Sequence, residues 1–496
     1  MKMKWHIVGI MREITSALAL LCLLVCVTGY DDVCIHDLSQ ATVPKRIAII
    51  GTGAGGSSAA HYLNQLLVKD GSFADIILFE KEARVGGRNH HKSYAGLDSQ
   101  VEIGGSVYHL QNYNIRNFTR AANFTERKIS EEGELGIWNG EEFVFQTSSW
   151  SPITIAKVLW RYGLSPMKVR NLAVDAKNRF LRIYEHMNGK RQDGLMPAFD
   201  RPRDIFEIMD LESLSRVSFE EHLRQLGEDI SRTFLDEFAT VVTKINYGQN
   251  TNISALAGFL CFIGSGNEIV SVREGIASVW ENVVKETSAI VRTDTMVNKI
   301  RRIENEGASK YIVEYDGKAD TFDVVVIATP LEFSGIDIEE GVLPVEARFQ
   351  RKYQVTHVTL VEGELDPTYF GHREGDLLPD TIGSVDGKGI PWRSVSIKGR
   401  SKGGQHVYKI FSGEEMKEEH LEKMFSKRSD TFHYRWDAYP VLTPNDREAP
   451  PFRLHPGLYY VNGMENYASV IEGESIAGQN VAHLIYNDLM KAAASK

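Results

Sequence analysis

Apolar positions along the chain fall into two patterns. Short unbroken apolar runs bounded by glycine or polar residues predict buried strands, and apolar positions spaced three and four apart predict helices. The first run is Lys45–Ile50 (KRIAII). A helix follows from about Gly55 to Val68, with Ala59, Ala60, Leu63 and Leu67 on one face, and then the strand Asp75–Glu80 (DIILFE). This opening predicts a parallel, doubly wound sheet, whose first turn is where such sheets place a ligand. Helical spacing dominates from Ser151 to about Lys244, in Ile153–Leu164, Pro166–Met187 and Phe219–Val242. Gly275–Glu286 reads as another helix, with a strand near Ser288–Val291 and the bare β-run Asp323–Thr329 (DVVVIAT) after it. Tyr353–Trp436 alternates more, with Gly and Pro turns between Val355–Glu362, Trp392–Ile397 and His406–Ile410, and predicts a further sheet. Leu458–Val461 is a last strand, and a helix from about Ser469 to Met490 ends the chain.

Nucleotide-type segments therefore occur at both ends and in the middle. The predicted fold class is α/β. A discontinuous Rossmann-type domain takes residues 45–150, 255–330 and 445–496, and an α+β substrate domain takes 151–254 and 331–444.

Composition narrows the picture. A chain of 496 residues exceeds one small core. A net charge of −10 argues against nucleic acid as a partner, because phosphate backbones require clustered Lys and Arg. Lys2, Lys4 and Arg12 precede the apolar run Ile14–Thr28, and Val27 and Gly29 stand at −3 and −1 of a cleavage point. The run is shorter than the ~20 residues a spanning helix needs, so residues 1–29 read as a secretory signal peptide, with an uncleaved anchor as the alternative. Cys22 and Cys26 leave with that segment. Cys34 and Cys261 remain, either as a disulfide or as one surface thiol and one buried thiol. No Cys/His spacing resembles a zinc site. Asn117, Asn123 and Asn252 each open an Asn-x-Ser/Thr triplet, a candidate glycosylated surface loop in a secreted chain.

The chemistry begins at Gly51-x-Gly53-x-x-Gly56, which has the context that gives such a motif meaning: a buried strand before it, a helix after it, and the acid Glu80 ending the second strand. Gly51 permits the tight turn, Gly53 the approach of a pyrophosphate, and Gly56 close helix–strand packing. The helix N-terminus offers N–H groups and partial positive charge to phosphate. Glu80 suits a ribose hydroxyl and disfavours a phosphorylated ribose. Arg84-Val85-Gly86-Gly87-Arg88 then sharpens the ligand to FAD, since paired glycines let the chain pass close to it and Arg88 can reach a pyrophosphate bidentately. A second pair follows in Glu102-Ile103-Gly104-Gly105-Ser106.

The order GTGAGG, FEKEARVGGR, EIGGSVYH, DVVVIATP and GLYYVNGMENYASVIEGESIAGQNVA resembles the amine-oxidase-type flavoproteins. Within them the chain is most similar to the prenylcysteine oxidases and the plant-type farnesylcysteine lyases, on GGSVYH at 104–109, VREG at 272–275 and WDAYP at 436–440. The resemblance implies that Gly51, Gly53, Gly56 and Glu80 hold the ADP half of FAD, with Gly87 and Arg88 along the pyrophosphate. It implies that Val297 gives its backbone to the adenine, that Gly463 and Glu465 contact the pyrophosphate and ribityl side, and that Tyr467–Ile471 open the last helix beneath the flavin. Trp436 and Tyr439 stand where aromatic residues flank the flavin or pack in the core, and His109 is a further candidate near the ring. The implied reaction is oxidation of a prenylcysteine thioether with dioxygen and water to a prenyl aldehyde, free cysteine and hydrogen peroxide. The implied setting is the secretory route to a lysosome or vacuole, with peripheral membrane contact open. The alternatives are another FAD amine oxidase or desaturase on the same fold, or a non-catalytic prenyl-binding protein.

Overall fold

The structure, a computed structural model, describes residues 45–494 apart from 130–132, 190, 228, 264–267, 306–307, 388 and 445–446. The signal-peptide and anchor readings, and Cys34 with its proposed pairing, lie outside the described residues.

Strand β1 (Lys45–Ile50) is exposed only at its first residue and buried over its last four. The chain turns at Gly51 into helix α1 (Ala54–Lys69) and returns as β2 (Ala74–Phe79), parallel to β1. Side chains on a strand alternate between faces. Ile47 and Ile49, with Ile76 and Leu78, pack in the core that holds α1, whereas Ala48 and Ile50, with Ile77 and Phe79, pack in a second core on the other side. Both faces are covered, which is why these runs are unbroken rather than alternating.

The chain continues through α2 (Tyr113–Ala121), the hairpin β3 (Leu135–Trp138) and β4 (Phe143–Gln146), and helices α3 (Ser151–Tyr162), α4 (Ser165–Phe180), α5 (Thr240–Tyr247), α6 (Ala255–Ile263) and α7 (Ile276–Lys285). Strands β5 (Ile290–Arg292), β6 (Val297–Asn305) and β7 (Val324–Ile327) follow, then β8 (Tyr353–Leu365), β9 (Thr381–Ser384), β10 (Trp392–Arg400), β11 (His406–Ser412) and β12 (Phe425–Pro440). The chain ends with β13 (Arg453–His455), β14 (Leu458–Tyr460) and α8 (Ile471–Ala494).

The first sheet runs β5-β2-β1-β7-β14-β13, parallel except for its last pair. It draws strands from residues 45–79, 290–327 and 453–460, the discontinuity the hydrophobic runs predict. Helices α1 and α8 cover one face. A four-stranded sheet containing β6 covers the other through Val297, Ile300, Tyr311, Val313 and Phe322. The second sheet runs β12-β8-β11-β10-β9-β3-β4, antiparallel except where β9 meets β3.

Three segments sit otherwise than local pattern predicts. The β3–β4 hairpin joins the second sheet through Leu135–Thr381 pairing, although it falls within the 45–150 segment expected in the dinucleotide domain. Helix α6, expected with 255–330 in that same domain, packs among the helices of the second part, with Phe259 and Phe262 against Phe219. The Phe219–Val242 run is not one helix. Gly227 turns it with φ +66°, the Ser231 side chain caps a new turn by accepting from the Phe234 N–H, and a π-turn at Leu235–Ala239 leads into α5. Among the described residues no helix is long and apolar enough to cross a membrane.

Candidate active site

One cavity of about 740 Å³ begins at the β1–α1 turn and is lined from Gly51–Gly55, Glu80, Gly86–Asn89, Gly105–His109, Val297, Trp436–Tyr439 and Ala468–Glu474. Its far wall comes from α4, α5 and α6. The loop at its head is built by sterics. Gly51 has φ +103°, and a Cβ there would lie 2.6 Å from the Ala328 carbonyl oxygen. A Cβ on Gly56 would lie 2.0 Å from the Gly51 carbonyl oxygen, so this glycine is a packing residue beneath the cavity and not part of its lining. Gly53 differs: its Cβ would meet only Gly87 Cα at 3.9 Å, so its bare face is free for a ligand.

Glu80 is buried just past the end of β2. Its Oε2 accepts from the Thr52 N–H at 3.1 Å and the Thr52 hydroxyl at 2.6 Å, and its Oε1 accepts from the Glu82 N–H at 3.0 Å. A carboxylate has about four acceptor positions, so one remains for a ribose hydroxyl. A phosphorylated ribose would meet this charge at close range, which suits FAD and not a 2′-phosphorylated dinucleotide.

Glu465 corrects one of the expected ligand contacts. The Glu465 carboxylate is fully buried and accepts both terminal nitrogens of Arg88, the Tyr353 hydroxyl at 2.9 Å and the Asn462 amide at 2.5 Å. All four positions are taken, so Glu465 has none for the pyrophosphate, and it does not line the cavity. Arg88 also donates to the Ala438 carbonyl. These bonds use three of its five N–H groups, so Nε–H and one N–H of Nη2 are left for a ligand in the cavity that Arg88 lines. Burial opposes the charge on Glu465, but Arg88 and Arg351 outweigh it and hold the carboxyl below its ordinary range. Gly463 packs against Pro450 and Pro202 and does not face the cavity.

Next to this pair lies Glu474, in the first turn of α8. Its Oε2 accepts from Asn462 at 3.0 Å, and its Oε1 has no protein partner. Burial, and then the charge on Glu465, push Glu474 well above the ordinary carboxylate range, which favours its neutral form beside the cavity. Glu472 has a different task. It accepts from the N–H groups of Asn114 and Ile115 and from the Tyr184 hydroxyl, tying α8 to α2. Ala468–Ile471 line the cavity as expected, whereas Tyr467 stacks on Phe206 at 4.4 Å outside it.

Of the ring-side candidates, Trp436 and Tyr439 both line the cavity, edge to face at 6.0 Å, and Tyr439 makes a second such contact with Tyr247 at 5.1 Å. The Trp436 Nε1 and Gln111 Oε1 atoms are buried without protein partners. His109 also lines the cavity, but its Nε2 bonds Glu268 at 2.9 Å and its Nδ1 accepts the Gln111 N–H at 3.0 Å. Neither ring nitrogen is left for acid–base work.

The far wall had no motif to announce it. Phe180, Leu181, Ile245, Leu256, Phe259 and Cys261 make it apolar, with Phe206 and Leu211 beside them. The signal available was the uninterrupted run ALAGFLCFI of α6, apolar on every side and so buried on every side. Cys261 bonds the Ala257 carbonyl, and burial pushes its thiol up, so it acts as a small apolar lining group. The three sequon asparagines are exposed; Asn117 lies on α2 rather than in a loop, and Asn123 has φ +56° just after it.

The features of the fold and cavity — parallel sheet, glycine cradle, ribose-side acid, terminal helix entering the site — are those of an FAD-dependent oxidoreductase. Cyclohexylamine oxidase from Brevibacterium oxydans shares this fold (TM-score 0.59, 13% identity, 90% of this chain and 100% of that one). So does wild-type putrescine oxidase (TM-score 0.56, 16% identity, 89% and 99%). Residues 49–122 match the NAD(P)-binding Rossmann-like domain and residues 145–495 match Prenylcysteine lyase. The chain is 32% identical over 462 residues to the Farnesylcysteine lyase of Arabidopsis thaliana, covering 90% of this chain and 89% of that protein. It is 30% identical over 502 residues to Prenylcysteine oxidase 1 of Homo sapiens, covering 96% and 95%. The chain belongs to the prenylcysteine lyase family.

Proposed function

We propose that the protein is an FAD-dependent thioether oxidase that cleaves farnesylcysteine or a related prenylcysteine. The observation that carries this is the apolar wall. Beyond the glycine cradle the cavity is closed by α4, α5 and α6, which contribute mostly aromatic and aliphatic side chains, with Lys177 and Asn246 the polar ones and, among the described residues, no carboxylate. An isoprenoid chain matches that wall by burial of its methyl and methylene groups, each worth about 0.8 kcal/mol. A polyamine would find no counter-charge there. Bound in the cradle, FAD supplies the two-electron acceptor, and dioxygen with water completes the balance to prenyl aldehyde, free cysteine and hydrogen peroxide.

The chain's own residues bind, orient and exclude water. Gly53 and the α1 N-terminus take the pyrophosphate side, Glu80 the ribose, and Val297 the adenine side. Trp436 Nε1–H is a donor and Gln111 Oε1 an acceptor without protein partners, on two residues that line the cavity. The apolar wall keeps water from the prenyl chain.

Anaerobic addition of farnesylcysteine to the yellow holoprotein tests this reading. Bleaching of the flavin band, with farnesal and cysteine released on admitting oxygen, is expected. Bleaching by a polyamine and none by farnesylcysteine would establish an amine oxidase instead. A correctly folded protein that takes up no flavin would favour a non-catalytic prenyl carrier.

The exposed sequons and the charged-then-apolar N-terminus support entry into the secretory route, glycosylation, and a lysosomal or vacuolar destination with contact at membrane surfaces. A mass shift on endoglycosidase treatment of the native protein is the direct check.

A further inference from the structure

Helix α3 (Ser151–Tyr162) turns its apolar side to solvent. Tyr162 is buried and Thr154, Val158 and Arg161 are half-buried along one flank, while Ile153, Ile155, Leu159 and Trp160 are exposed, Trp160 to 86%. Trp150 before the helix, and Leu164 and Met167 after it, extend the patch. Of the twenty large apolar side chains exposed among the described residues, seven fall between positions 150 and 167. Single exposed apolar residues are ordinary, but a contiguous group of this kind marks a surface that meets something.

Charge indicates what it meets. Residues 151–182 carry seven Lys or Arg against one acid, Asp175, in a chain whose net charge is −10. Some of these cations are engaged: Arg161 pairs with Glu237, and Arg179 with Asp175 and Asp210. Lys157 on α3, Arg170 on α4 and Arg182 just beyond it are exposed. An apolar helix face bearing tryptophan, bordered by cations, matches the interface of an anionic bilayer, where aromatic rings sit at headgroup level and Lys and Arg meet lipid charge.

We infer that α3, with the first turn of α4, is the surface through which this enzyme docks on an anionic lipid bilayer. The helix lies on the bilayer and does not cross it. The inference rests on the proposed function in one respect: α4 is common to the docking surface and the cavity, which Ala176, Lys177 and Phe180 line, so docking sets the apolar wall near a membrane in which a prenyl chain dissolves.

Vesicle sedimentation with the mature holoprotein tests it, using phosphatidylcholine vesicles with and without phosphatidylserine. Binding that requires phosphatidylserine and weakens with salt is expected. The double variant Leu159→Ser, Trp160→Ser is expected to bind roughly tenfold or more weakly, and Lys157→Glu with Arg170→Glu to lose the phosphatidylserine dependence. Unchanged flavin content shows that each variant is folded. Wild-type binding by both double variants, or no binding by the wild type, overturns the inference. So does a concentration-dependent dimer of the wild type that the serine variant abolishes, since the patch would then be covered by a second copy. Turnover of farnesylcysteine free in solution is measured beside it and is expected to be equal in all variants. Vesicle binding through α3 without such turnover would overturn the activity and leave the docking surface standing.

Discussion

Arg88 grips Glu465 through two parallel N–H···O bonds across 377 positions of sequence, joining the glycine segment after β2 to the turn before α8. Charge on Glu465 is therefore in use, and charge on its neighbour Glu474 is not. Glu465→Gln takes the counter-charge from the half-buried Arg88 guanidinium and is expected to cost about 1.5–3 kcal/mol, with loss of flavin during purification. Glu474→Gln replaces a carboxyl whose neutral form burial favours, and is expected to leave stability at neutral pH unchanged or slightly raised. Urea denaturation of the two variants side by side checks the contrast; equal losses would mean that Glu474 is ionised.

Two glycines in the same motif are expected to fail differently. Gly56→Ala places a methyl 2.0 Å from the Gly51 carbonyl oxygen, which nothing nearby can relieve, and no soluble folded protein is expected. Gly53→Ala has φ −70°, acceptable to alanine, and its methyl meets nothing closer than 3.9 Å. Its flavin-free stability is expected to stay within about 0.5 kcal/mol of wild type. Its flavin affinity is expected to fall by roughly 1–3 kcal/mol, because the methyl occupies ligand space. Flavin fluorescence titration and thermal melts of the apoprotein separate the two effects.

Glu102 gives a pH signature away from the cavity. Burial pushes its carboxyl from 4.5 to about 8, against the Ile276 N–H, Lys409 and Arg127, which favour the charged form. The folded state thus keeps a proton that the unfolded chain releases. With fewer protons bound in the unfolded state, unfolding free energy falls as pH rises, from about 4.5 to about 8. Glu102→Gln should remove that slope. The variant is expected to match wild type near pH 4 and to exceed it near pH 9; a parallel shift at both would show that Glu102 is not the titrating group.

The apolar wall makes a prediction about chain length. Cys261→Phe fills part of it, and the KM for farnesylcysteine is expected to rise about tenfold, the loss of two buried methylene contacts. Geranylcysteine, one isoprene shorter, should be affected less, and flavin content should not change. A uniform rise for both substrates would place the prenyl chain elsewhere.

How much of this was legible beforehand depends on the range over which each feature is determined. The β1–α1–β2 opening, Gly51, Gly53 and Glu80 were readable because local sterics and a strand buried on both faces write themselves into adjacent residues. The membership of the β3–β4 hairpin was not, because its pairing partner Thr381 lies far along the chain. The break in Phe219–Val242 was half legible: Gly227 and Ser231 are turn and cap residues, but the fold around them shows only once Phe219 and Phe234, on either side, meet Phe262 of α6.

By itself the sequence determined a dinucleotide cradle closed by an acid, because glycine spacing and a terminal acid leave few other foldings. Only the tertiary structure decided that Glu465 serves Arg88 and not the ligand, that both nitrogens of His109 are occupied, and that α4, α5 and α6 supply an apolar wall. Those facts rest on which side chains meet across hundreds of residues, and local composition holds no record of that.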